Sequence, residues 1–132
     1  VQQSLSMSKL GVVRAWHRHV KGQNDYIVCI DGSIKLCVFD ERRGSKTRGE
    51  LDEFVLDSGQ RLQATRVVGS CWHGYKVLGT KPATIMYAVT RLYDYKKPDE
   101  ERRPWNDSTV IPNSINGIKR DPRVGKSYDW QA

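Results

Sequence analysis

The stretch DYIVCIDGSIKLCVFD, residues 25–40, decides how this chain folds. Two apolar runs flank Asp31-Gly32, and Asp-Gly between such runs predicts a tight turn joining two antiparallel strands as a hairpin. Side chains alternate along a strand, so Asp25, Ile27 and Cys29 share one face, with Leu36 and Ile34 expected across the ladder from Ile27 and Cys29. That register sets Cys29 against Ile34 rather than Cys37, a poor geometry for a disulfide between the two cysteines.

Working outward, GVVRAWH (11–17) alternates and is β-branched, and further strands are expected at 53–57, 61–67, 73–78 and 83–93, separated by DSGQ and GTKP. The sequence contains no three-turn amphipathic helix, internal repeat or low-complexity tract. Short strands at regular spacing predict an all-β sandwich or barrel. After Tyr95 the chain turns polar and proline-bearing (KKPDEERRPWNDSTVIPNSINGIKRDPRVG), which predicts an ordered wrap rather than a second domain. The expected organisation is therefore one domain over 1–132, with a barrel over about 1–95 and a C-terminal wrap over 96–132.

The 132 residues suffice for one modest core. No apolar run approaches the roughly 18 residues that would span a bilayer, so no membrane partner is expected. The start VQQSLSMSKLG lacks the basic and apolar regions of a signal peptide, and its opening on Val1 leads us to expect further residues upstream. Three cysteines in apolar contexts suit buried thiols and a cytoplasmic location. The net charge of +7 favours an anionic partner. Its basic residues are interspersed with acids, with no basic helical stripe or nucleic-acid motif, so a small phosphorylated ligand is preferred to nucleic acid.

All three histidines fall in two short segments. His17 and His19 flank Arg18, Asp25 follows six residues later, and His73 lies in RVVGSCWHGYK. The spacing Gly11, His17-x-His19, Asp25, Gly32 resembles the first motif of the cupin jelly-roll barrels (double-stranded β-helices), with Asp for the usual Glu and a loop one residue longer. His73 follows a glycine-bearing turn, as in the second cupin motif, with Val68 where proline is usual. Three imidazoles and a carboxylate suit a divalent transition metal, Fe, Mn, Ni or Zn. Hydrogen-bonded histidines without a metal are the other reading.

From Gln2 to about Trp105 the chain resembles the dTDP-4-dehydrorhamnose 3,5-epimerases of the cupin superfamily. GVVRAWH is similar to their GVLRGLH, FDERRGSKTRG to VDLRRSSPTFG, WHGY to AHGF, MYAVTRLYDY to LYKTTDYY, and PWND (104–107) carries their late WND element. The resemblance implies an isomerase that needs no cofactor, inverts centres beside the ketone of a 4-keto-6-deoxy sugar nucleotide, and works as a homodimer. It implies His17 as the base, Tyr87 as the acid and Asp121 as the carboxylate holding the base, with Arg14, Arg42, His73 and Gln23 as substrate-binding residues. The chain departs from the family at two telling positions. The family's HYQ is His17-Arg18-His19, and its QxKL is Gln23-Asn24-Asp25-Tyr26, which puts a carboxylate where a lysine would steady an enolate oxygen. Two further readings therefore stand beside the epimerase: a metal-dependent cupin enzyme using His17, His19, Asp25 and His73, and a non-catalytic sugar-nucleotide-binding cupin.

Overall fold

The computed structural model describes residues 2–131. Among them every regular element is a strand: β1 Gln2–Ser8, β2 Val13–Arg18, β3 Asp25–Asp31, β4 Ser33–Phe39, β5 Glu50–Asp57, β6 Ala64–Val67, β7 Trp72–Leu78, β8 Ala83–Val89, β9 Glu101–Arg102 and β10 Ser114–Ile115. They form two sheets, ordered β1-β8-β3-β6 and β10-β5-β4-β7-β2-β9. Two sheets folded onto each other, antiparallel except where β10 runs parallel to β5, make the jelly-roll expected from the sequence. No described helix is long and apolar enough to cross a membrane.

Asp31-Gly32 does not close a hairpin. β3 pairs with β6 and β8, whereas β4 pairs with β5 and β7 in the other sheet. Ile27 therefore lies opposite Thr65 and Tyr87, and Cys29 opposite Ile85, rather than Leu36 and Ile34. Ile27 and Cys29 still meet Ile34 and Leu36, but across the core between the sheets. An Asp-Gly between two apolar runs marks a sharp reversal; whether the runs lie side by side or face to face depends on partners elsewhere in the chain. Gly32 makes the corner possible with φ of +85°, and a Cβ there would meet the Pro82 carbonyl oxygen at 2.8 Å.

β1 was not expected, because its apolar residues point the wrong way. Leu5 and Met7 are 67% and 75% exposed, while Ser8 on the alternate face is buried. The expected strand over 83–93 ends at Val89, and the following residues cross the mouth of the barrel instead.

The C-terminal segment lies against the outer face of the six-stranded sheet. There Cys37, Phe39, Leu51, Trp16 and Trp72 form a second core with Val110, Ile115, Tyr128 and Trp130. Trp16 packs on Trp130 with ring centroids 4.9 Å apart. Trp16 and Trp72 are both buried under this cover. Cys29, Cys37 and Cys71 are buried free thiols, and burial pushes Cys37 up to about 12.

Candidate functional site

The barrel opens into a cavity of about 690 Å³ between the sheets, with Arg14, His17, His19, Asp25 and Tyr87 on its walls. β2 carries His17 and runs beside β7, and the pairing shifts register between Arg14 and His17. Gly74 permits this: a Cβ at that position would lie 2.4 Å from the Ala15 Cβ and 2.6 Å from the Arg14 carbonyl oxygen. With that irregularity Trp16 turns to the second core while His17 pairs directly with His73.

Asp25 gathers the cluster. Its Oδ2 accepts from His19 Nε2 at 3.1 Å and lies 3.2 Å from His73 Nε2, while Gln23 Nε2 donates to Oδ1 at 2.8 Å. His73 is fully buried and donates from Nδ1 to the Cys71 carbonyl at 2.8 Å. His19 donates from Nδ1 to the Asp99 carbonyl, and the Asp99 carboxylate accepts from the Val20 and Lys21 amides. Burial opposes charge on Asp25, but the bonds from His19, His73 and Gln23 outweigh it and hold the carboxyl far below its usual range. Burial likewise opposes charge on His19; hydrogen bonds to Asp25 and the Asp99 carbonyl prevail and raise its pKa.

His17 stands apart from this network. Its ring packs on His73 with centroids 4.2 Å apart. Burial, then the neighbouring His73 and His19, push it well below the ordinary histidine value, so it is neutral at pH 7. Burial first, and then Tyr75, push the Tyr87 phenol well above its usual range, so it keeps its proton. A neutral imidazole can accept a proton, and a protonated phenol can donate one.

Four expected site residues are placed otherwise than expected. Asp121 lies on the C-terminal segment and is held by Arg123, which also pairs with Glu53 of β5; it does not hold His17. Arg42 is not on the cavity wall. It folds back on buried Asp40 through two bonds of 3.0 Å, because that carboxylate at the end of β4 needs donors, and Ser45 and Thr47 supply two more. His73 has no exposed surface with which to touch a substrate directly, and Gln23 lines the cavity but commits its amide to Asp25. Sequence reading also missed Lys21, Arg91 and Arg102, cations on the cavity lining beside Asp94, Asp99 and Glu100, with Arg102 paired to Glu100 at 2.9 Å. These side chains come from loops and a two-residue strand, where no periodicity marks them.

The donor set fits a metal. One ligand atom each from His17, His19, Asp25 and His73 lie within 4.8 Å of one another. The bonds between Asp25 and two imidazoles span distances that ligands around one ion also adopt.

Comparison with known proteins agrees with the fold. The chain is 48% identical over 101 residues to the probable low-salt glycan biosynthesis epimerase Agl13 of Haloferax volcanii, covering 76% of this chain and 64% of that protein. It is 38% identical over 109 residues to the spore coat polysaccharide biosynthesis protein SpsL of Bacillus subtilis, covering 83% of this chain and 71% of that one. The crystal structure of a dTDP-6-deoxy-D-glucose-3,5-epimerase from Legionella pneumophila, in complex with dTDP-4-keto-L-rhamnose, superposes with a TM-score of 0.70 at 26% identity, covering 81% of this chain and 55% of that one. The dTDP-4-dehydrorhamnose 3,5-epimerase family matches residues 1–119, and this chain belongs to it.

Proposed function

We propose that this protein is an isomerase that epimerises a nucleotide-linked 4-keto-6-deoxy sugar by proton abstraction beside the ketone. One observation carries the reading: a neutral imidazole, His17, and a protonated phenol, Tyr87, share the walls of one cavity. His17 takes the proton alpha to the C4 carbonyl, leaving an enolate. Tyr87 returns a proton to the opposite face of that carbon, which inverts it. Arg14, Lys21, Arg91 and Arg102 supply cations for the diphosphate. The negative charge of Asp25, adverse to an enolate, is answered by the hydrogen bond it accepts from His19, whose pKa is raised.

The proposed substrate is a dTDP-linked sugar of the rhamnose type, and the proposed location is cytoplasmic. A homodimer is the proposed assembly. The outer face of the four-stranded sheet supports it, since Leu5, Met7, Tyr26 and Ile30 are exposed there. Neither nucleic acid nor membrane has a part in this reading, and no cofactor takes part in the chemistry.

The four-ligand cluster favours one second reading, in which His17, His19, Asp25 and His73 hold a divalent transition metal. Such an ion would act as a Lewis acid on a substrate oxygen.

The test is hydrogen exchange in D₂O with a dTDP-4-keto-6-deoxy sugar. Wild-type protein should exchange at C3, C5 or both, and His17→Ala should abolish exchange at every position. Failure of the wild type to exchange with any 4-keto nucleotide sugar would remove the epimerase reading.

A further inference from the structure

His19 stands where the family's HYQ segment carries glutamine, and a residue 80 positions away fixes its ring. After β8 the chain crosses the barrel mouth and meets the turn that follows β2 at Asp99, which lines the cavity together with His19. The Asp99 carbonyl faces His19 Nδ1. A carbonyl only accepts, so Nδ1 carries a proton and the ring is turned with Nε2 towards Asp25 Oδ2, 3.1 Å away. The Asp99 carboxylate grips the adjoining backbone, where Oδ1 accepts from the Val20 amide at 2.7 Å and from the Lys21 amide at 2.9 Å. Lys21 Nζ donates to the Lys97 carbonyl at 3.3 Å, and Arg91 donates to the Lys21 carbonyl, so three residues of the crossing segment fasten it to this turn. Asp99 Oδ2 is buried and, among the described residues, meets no donor. Burying one oxygen of a carboxylate unpaired is unfavourable. The fold tolerates it where that carboxylate locks the two residues after His19.

We propose that Asp99 is a positioning residue for His19: its carboxylate locks the turn at Val20 and Lys21, and its carbonyl, held in place by that lock, aims the imidazole at Asp25. The proposal rests on the epimerase reading. As His17 takes the substrate proton, negative charge gathers on the C4 oxygen of the enolate, in a cavity whose wall already holds the Asp25 carboxylate. The hydrogen bond from His19 draws the Asp25 charge away from that oxygen. With Nδ1 unengaged the ring would be free to turn, and that bond would weaken. Asp99 thus acts through His19, on proton removal, and leaves the return of the proton by Tyr87 alone.

The experiment pairs nitrogen–proton NMR of the histidine rings in H₂O with hydrogen exchange in D₂O from a dTDP-4-keto-6-deoxy sugar. The proteins are wild type, Asp99→Ala, Asp99→Asn, His19→Gln and the double variant of Asp99→Ala with His19→Gln. Asp99→Ala should move the His19 Nδ1–H signal and leave in place that of His73, which the Cys71 carbonyl holds. It should slow exchange about tenfold, as expected for losing a hydrogen bond to a charged group. Asp99→Asn, which keeps an oxygen for both amides, should restore most of that rate. In the His19→Gln background, Asp99→Ala should change exchange by less than about twofold. A His19 signal that stays put, equal movement of both ring signals, or an equal loss in both backgrounds would overturn the proposal, while wild-type exchange leaves the epimerase reading standing. If Asp99→Ala fails to fold, Asp99→Glu, which shifts the carboxylate by one methylene, takes its place under the same criteria. If His19→Gln is inactive, the ring signals decide. A wild type that exchanges nothing overturns both.

Discussion

Asp25 accepts a hydrogen bond from His19 at 3.1 Å, so the buried acid of this cavity supports an imidazole other than the proposed base. Asp25 acts on His17 only through space, without a hydrogen bond between them. The site therefore pushes two neighbouring histidines in opposite directions, His19 up and His17 well down. Burial opposes charge on both; the Asp25 and Asp99 acceptors make the difference at His19.

Activity should persist into acid. The His17 pKa is depressed, so the imidazole stays unprotonated as pH falls below the ordinary histidine value near 6.5. The acidic limb of kcat/KM should lie below the ordinary histidine value, and a limb centred at 6.5 or above would contradict this assignment. The same shift carries a stability sign. A histidine depressed in the fold binds protons more readily when unfolded, so its contribution to stability is lost as pH falls through 6.5.

Metal content separates the two readings of the cluster. If the ion belongs, reconstitution with Fe(II), Mn, Ni or Zn should load one equivalent, and His19→Ala or Asp25→Lys should sharply reduce it. Asp25→Lys would set an ammonium beside a dication. In the metal-free reading the same substitution restores the family's positive charge, keeps the fold and raises epimerisation. Elemental analysis of the three proteins, with thermal melts, gives the answer; a wild type that takes up none of the four metals removes the metal reading.

The dimer should depend on Leu5 and Met7. Replacing both with glutamate puts two charges on an apolar sheet face while leaving the cavity untouched. Sedimentation should give a dimer for wild type at micromolar concentration and a monomer for the double variant. A wild type found only at 15.1 kDa would end the proposal.

Arg42 and Trp130 should behave as structural residues. Arg42→Ala should leave KM unchanged and cost about 1–3 kcal/mol by stripping donors from buried Asp40, a loss read from urea denaturation. Trp130→Ala should cost about 3–5 kcal/mol, since the side chain is fully buried against Trp16 and Tyr128. A raised KM for Arg42→Ala would return that residue to substrate binding.

Most of the barrel was legible because its strands bury alternate apolar residues, as in β3 with Ile27 and Cys29. β1 was illegible for the opposite reason: its serines turn inward to meet Arg14 and Tyr75, and its Leu and Met turn out. The convergence of His17, His19, Asp25 and His73 followed from two short motifs. Their division of labour did not, because which imidazole Asp25 holds depends on an irregular pairing of β2 with β7 and on a carbonyl contributed by Asp99. Asp121 and Arg42 illustrate a related limit. A charged residue within a matching motif takes whatever partner lies nearest in space, and here those partners were Arg123 and Asp40.

The cover over the six-stranded sheet sets an order on biogenesis. Trp16 emerges from the ribosome well before its partners Tyr128 and Trp130. Until then a nascent barrel presents Trp16, Cys37, Phe39, Leu51 and Trp72 as an uncovered oily surface. Translation thus holds the barrel in its most aggregation-prone form until residues 110–130 are out, and chaperone dependence during synthesis should track how quickly they are released.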